Sequence, residues 1–187
     1  MSAVDLTDPR ALRALASPLR LALLDWLREH GPATATRCAE AVGASVQLCS
    51  YHLRALRKWG FVAEVPSDDG RERPWQLVAR SIDVPKGRLD KPELMAAWNL
   101  LRARLIDRHI ELVAEFVERE ASYPPAWREA ATFLTNPLHV TPAELENIGE
   151  RISELLAPFV RDHPAERPAG AQPAYAVVWA IPRPAKP

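Results

Sequence analysis

The chain has 187 residues, 48% of them hydrophobic, with 24 Lys or Arg balanced by 24 Asp or Glu. That length can bury one good core, or one core with a smaller second unit, and the balance excludes a disordered acidic chain and a bulk polycation. Two cysteines, Cys38 and Cys49, are too few for a disulfide scaffold. With no apolar run near the roughly 20 residues of a membrane span, and no signal-peptide core in "MSAVDLTDPR", a cytoplasmic protein is expected. Abundant Pro and Ala, with Arg preferred to Lys, fit a GC-rich bacterial genome.

In chain order, helix starts are legible. Asp8-Pro9, Ser17-Pro18 and Thr141-Pro142 each offer a side-chain oxygen at the cap and Pro at the first helical position. Asp90 with Glu93, and Thr141 with Glu144, have capping-box spacing. Helices are predicted near 9–15, 18–30, 35–42, 46–58, 91–121 and 142–161. In the second, Leu19, Leu23, Trp26 and Leu27 form the core stripe, and His30-Gly31-Pro32 stops it. The short third follows Thr34 and ends at Gly43; Ser45 caps the fourth, making a helix-turn-helix. Then the apolar period falls to two: "FVAEV" (61–65) and "WQLV" (75–78) flank Asp69-Gly70, a strong hairpin signal. Arg71 and Arg73 project from this hairpin, giving a winged helix.

"SIDVPKGRLDKP" (81–92) reads as a linker. The long helix after it carries two adjoining stripes: Leu94, Trp98, Leu101, Leu105, Leu112 and Phe116, and beside them Ile106, Ile110, Val113 and Val117. A face that wide suits two surfaces at once, its own domain and a partner chain. "SYPPAW" breaks the helix. "TFLTNPLHV" and "YAVVWAI" (175–181) look like strands bracketing the last helix, with a Pro-rich loop between. The expected fold is mainly α with a little β (α+β): a winged helix-turn-helix at 1–82, then 83–187 as a dimerisation helix with a small helix/strand unit.

On the fourth helix Cys49, Leu53 and Leu56 point to the core, while Val46, Gln47, Ser50, Tyr51 and Arg54 form the opposite face. A merely solvated face would favour Glu and Lys. A major groove roughly 12 Å wide admits one helix. There Gln47 can bond adenine, Arg54 guanine or phosphate, Ser50 base or backbone, and Tyr51 offers a hydroxyl on an apolar ring. The positive helix end at Ser45 favours phosphate. Arg71 and Arg73 would neutralise backbone or enter the minor groove. From Arg10 to Arg80, eleven basic residues face seven acidic ones, which suits a polyanion partner.

"LASPLRLALLDWL" (15–27), "CAEAVGASVQLCSYHLRALRKWGFV" (38–62) and "GRERPWQLV" (70–78) resemble the ArsR-type winged-helix regulators. The resemblance covers roughly residues 10–80, with three motifs in order: the Leu-Ala-x-Pro-x-Arg start, the S-x-H-L recognition helix and the G-R wing. It implies a homodimer on a palindromic operator in double-stranded DNA, with Gln47, Ser50, Tyr51 and Arg54 as readers and Arg71 and Arg73 as wing contacts. His52 would pack and orient rather than read bases. The C-terminal half, with "HVTPAELENIGERISELL", is similar to a longer actinobacterial branch of winged-helix regulators.

The chain departs from that pattern where metal-sensing members have Cys-x-Cys: Thr34 and Thr36 stand there. Asp107-Arg108-His109 echoes another family site, with Glu120 the only later carboxylate at comparable spacing. Zn²⁺ wants about four ligands, and at most three can be named, so no metal and no cofactor is expected. Cys38 and Cys49 act as small hydrophobes or, alternatively, as a redox pair whose disulfide would distort the fourth helix. Cys49 and His52 at i, i+3 lack an oxyanion donor and an orienting carboxylate, so an enzyme is not expected. Trp98, Tyr123, Trp127, Phe133, Tyr175 and Trp179, with His139, are either the core of the C-terminal unit or an apolar pocket for a small-molecule effector. The expected function is a DNA-binding transcription regulator, a repressor released by such an effector. The alternative is a winged-helix protein-interaction module that has lost DNA.

Overall fold

A computed structural model describes residues 6–66, 72–78, 91–161 and 166–183. Four helices come first: α1 (Pro9–Leu15), α2 (Pro18–His30), α3 (Ala35–Val42) and α4 (Val46–Lys58). Their starts are set by local chemistry. The side chains of Asp8, Thr34 and Ser45 accept backbone N–H groups of Arg10, Arg37 and Leu48 respectively, satisfying donors that a first turn leaves orphaned. Ser17 departs from expectation: Pro18 follows it, but its hydroxyl makes no cap bond. Gly43 ends α3 at φ +65°, a left-handed conformation that side chains strain to adopt, and so turns the chain into α4.

The wing follows as β1 (Val62–Glu64) and β2 (Trp75–Leu77), antiparallel, with Val62 opposite Leu77 and Glu64 opposite Trp75. Bonds from Val65 N–H to Pro74 O and from Val78 N–H to Phe61 O extend the ladder at both ends. On its other edge β2 pairs with Ala33: Ala33 and Trp75 exchange both backbone bonds, at 3.0 and 2.7 Å. The hairpin tip with Asp68, Asp69, Gly70 and Arg71, the 81–90 stretch of the linker and the Asp90 cap lie outside the described residues.

Two compact units result. The first takes in the described residues up to Ile110, with Glu166; the second takes in Glu111–Arg161 and the described residues from Arg167 on. The first unit has one core, in which Leu12, Leu15, Leu23, Leu27, Leu53, Leu56 and Phe61 are essentially inaccessible. On α2 the buried stripe is rotated slightly from expectation: Leu21 and Leu24 are buried, while Leu19 and Trp26 are only partly covered. The long helix α5 (Pro92–Arg119) contributes Leu94, Ala97 and Leu101 to that core, with Trp98 and Leu105 packed against it.

The second unit differs from expectation. Beyond α5 a 3-10 turn (Glu120–Ser122) leads to a short helix, α6 (Pro125–Ala130), where Pro125 starts a helix rather than only breaking one. Helix α7 (Pro142–Leu156) carries the full capping box between Thr141 and Glu144, and passes into a 3-10 turn (Ala157–Phe159) at Pro158. The strands expected in "TFLTNPLHV" and at 175–181 are not formed: residues 131–140 and 171–183 pair into no sheet. An apolar run alone does not make a strand, which needs a partner backbone. Among its described residues this unit buries no side chain fully, so its aromatics do not form the expected core. No described helix is long and apolar enough to cross a membrane.

Candidate nucleic-acid interface

Helix α4 divides as its sequence predicts. Cys49, Leu53 and Leu56 are inaccessible, sealed against α2 and α3. Gln47, Tyr51 and Arg54 are exposed on the other side, Tyr51 by 62%, and Ser50 is half-buried between the two faces. Ser45 is exposed with its Oγ accepting Leu48 N–H at 3.2 Å, so its hydroxyl serves the helix first. Two apolar side chains, Val46 and Leu48, also lie open on the first turn. Leu48 was not singled out by sequence, because its spacing to Leu56 resembles a core residue. Apolar tips at that end suit thymine methyl groups.

The wing is fastened to the helix-turn-helix by polar links. Arg57 Nη1, in the last turn of α4, donates to Glu64 Oε1 of β1 at 2.7 Å, and its guanidinium lies over the Trp75 ring. Arg73 Nη1 stands 3.9 Å from Glu64 Oε2 and is largely exposed. Thr36 Oγ1 donates to Glu72 Oε1 at 3.1 Å, joining α3 to the hairpin. Arg10 and Lys58 flank the Trp59 ring, each under 6 Å from its centroid. These cations are partly balanced: Arg10 pairs with Asp8 at 2.7 Å, and Arg57 and Arg73 share Glu64. Arg73 lies exposed on the wing; Arg71 lies outside the described residues.

The positions weighed for metal do other work. Thr34 caps α3 and Thr36 holds Glu72. Asp107 pairs with Arg104 and Arg108 reaches Asp25, each at 3.3 Å. Burial lowers the His109 pKa; Asp25 opposes that and Arg108 adds to it. Among the described residues no three His, Cys, Asp or Glu side chains come together as metal ligands would. Cys38 and Cys49 are both buried free thiols. Burial pushes the Cys38 thiol up to about 11, with Cys49 close enough to add to it, and burial raises Cys49 too.

The expected effector residues are divided. Trp98 packs on the core of the first unit. In the second unit Tyr123 and Phe133 approach the Phe116 ring, with centroids 5.5 and 6.2 Å away, and Trp127 is half-buried. Tyr175 and Trp179 lie exposed in the 171–183 segment, which forms no helix or strand.

No curated protein matches this chain significantly. Residues 15–65, running from the end of α1 through α4 and β1, match the family model described as a helix-turn-helix domain, and the chain therefore carries a helix-turn-helix domain.

Proposed function

We propose that the protein is a cytoplasmic, sequence-specific regulator of transcription that binds duplex DNA through α4 and the wing. The observation carrying this reading is the uncovered outer face of α4, where Gln47, Tyr51 and Arg54 stand exposed beside the arginines of α4 and the hairpin. A helix so presented fits a major groove, with Gln47 and Arg54 as bidentate readers and Ser45, Ser50 and Tyr51 at the backbone or base edges. Arg73, with Arg71, supplies sequence-independent phosphate contacts. Selection of bound sequences from random duplex DNA, followed by titration over a salt series, tests this. Log affinity should fall linearly with log salt; absence of any enriched sequence would refute it.

The protein acts as a homodimer on a palindromic operator, and as a repressor by occupying it. Supporting the dimer, Ile106, Ile110, Val113 and Val117 recur along α5 at four- and three-residue spacing and are all exposed. Arg102, Arg104 and Arg108 precede the middle of that stripe, and Glu111, Glu115 and Glu118 follow it. An antiparallel crossing of two such helices sets each basic half against an acidic half. A small apolar effector bound in the second unit, where Tyr123 and Phe133 gather at the Phe116 ring, would supply the input; quenching of tryptophan fluorescence by hydrophobic metabolites tests it.

The exposed Val46 and Leu48 favour one second reading, a winged helix that docks on another protein. Binding that is insensitive to salt would support that over DNA.

A further inference from the structure

Arg20 lies on α2, inside the scaffold, yet its guanidinium reaches the reading helix. Its Nε donates to His52 Nδ1 at 3.0 Å and its Nη1 donates to the Ala14 carbonyl at 2.7 Å, both bonds partly buried. One planar cation therefore ties the end of α1 to the middle of α4. A guanidinium has donors only, so His52 Nδ1 must offer a lone pair: the ring is neutral, with its proton on Nε2. Tyr51 stands edge-on to the same imidazole, centroids 5.2 Å apart and planes at 72°. The chain of contacts thus runs from a backbone carbonyl, through Arg20 and His52, to a side chain exposed on the groove-facing side.

We propose that Arg20 is a positioning residue for sequence recognition, holding neutral His52 so that α4 and the Tyr51 ring keep one setting toward DNA. Its effect on affinity rests on the DNA-binding reading above; the clamp itself does not. Fork geometry explains why Arg stands here, because Lys cannot place two donors in one plane at fixed separation. A proton on His52 Nδ1 would face the Arg20 N–H with another N–H, cation beside cation, and release the setting. Among the described residues of α1, α2, α3 and β1, the elements packed on α4, Arg20 is the charged group acting on the ring. Burial first, then Arg20, hold the His52 pKa below its ordinary 6.5. Loss of the clamp is therefore an acid event, confined to pH below that value.

The experiment uses the full chain in two measurements. First, the His52 imidazole is titrated by NMR without DNA in wild type and in Arg20→Met, which keeps an apolar stem but no donor or charge. A His52 pKa below 6.5 that rises in the variant supports the clamp; an unchanged value overturns it. Second, affinity for the selected operator and for random duplex is measured between pH 5.5 and 7.5. Wild type should lose operator preference over random duplex progressively as pH falls from 7.5 to 5.5, by severalfold and by no more than about tenfold, the ceiling that a His52 pKa below 6.5 sets at pH 5.5. His52→Asn presents Oδ1 where Nδ1 stood and does not titrate, so it should keep operator preference within about threefold of wild type at pH 7.5 and lose the acid dependence. Persistence of that dependence in His52→Asn would overturn the proposal even if Arg20→Met failed to fold. Wild type that binds no duplex at any pH would instead sink the DNA-binding reading, and the first measurement would still decide the clamp.

Discussion

Glu64 holds Arg57 at 2.7 Å with one carboxylate oxygen and faces Arg73 at 3.9 Å with the other, so a single acid on β1 restrains a cation from the last turn of α4 and one from the wing. Both arginines remain at least half exposed, and exposed pairs contribute only about 0–1 kcal/mol to stability. The carboxylate therefore acts less on folding than on the charge of the surface proposed to meet DNA. Glu64→Gln should leave thermal stability almost unchanged. It should raise affinity for all duplexes and steepen the salt dependence by about one phosphate contact. Gel-shift titration across salt measures both, and an unchanged slope would show that neither arginine reaches DNA.

Arg54 and Arg73 should fail differently. Arg54 projects from the exposed face of α4, and Arg73 from the wing. Arg54→Ala should weaken operator binding by roughly 1–3 kcal/mol while sparing random sequences, whereas Arg73→Ala should weaken all sequences about equally. Competition between operator and random duplex separates the two roles. Equal losses in both variants would dissolve the division between reading helix and backbone clamp.

What was legible in the sequence is what local chemistry determines. Asp8, Thr34, Ser45 and Thr141 each bond a backbone N–H of their own first turn, and the helix starts predicted from them coincide with the observed ones. The outer face of α4 was legible because burial of Cys49, Leu53 and Leu56 at helical spacing leaves the intervening positions nowhere else to go. Hidden were features that join distant positions. Arg20 and His52 are 32 residues apart, and the Ala33–Trp75 bridge is a single pair with no pattern to announce it. The segments at 131–140 and 175–181 erred in the opposite sense: runs with apolar, β-branched and aromatic residues looked like strands, but pairing depends on a neighbouring backbone that such a run does not specify.

The two thiols should be silent in the native protein. Cys38 and Cys49 are inaccessible, and burial keeps both protonated at neutral pH. Since the thiolate is the reactive form, a disulfide-exchange reagent at pH 8 should label neither at once, and both immediately in denaturant. Prompt labelling of the folded chain would contradict this placement. The same shift carries a stability consequence. The folded thiol of Cys38 holds its proton up to about pH 11, but the unfolded one releases it near 9. The contribution is thus complete below 9 and lost as pH rises toward 11, at about 1.4 kcal/mol per pH unit. Cys38→Ala should flatten that alkaline decline in a denaturant series.

Ile110 offers the sharpest test of the pairing proposed along α5. It is 56% exposed, so in a lone chain Ile110→Arg should change stability by no more than about 0.5 kcal/mol. If two copies meet on the stripe with Ile106, Val113 and Val117, the same substitution places an unpaired charge in the seam. A penalty of about 3 kcal/mol would weaken dimerisation by roughly a hundredfold or more. Sedimentation velocity over a concentration range reads the dimer constant, and thermal unfolding at low concentration checks that the single chain is unharmed. A variant that dimerises as wild type does would move the interface elsewhere on the molecule. A variant that becomes monomeric and simultaneously loses operator binding would tie the α5 stripe to the spacing of the two reading helices, which a palindromic site sets at about one helical turn of DNA.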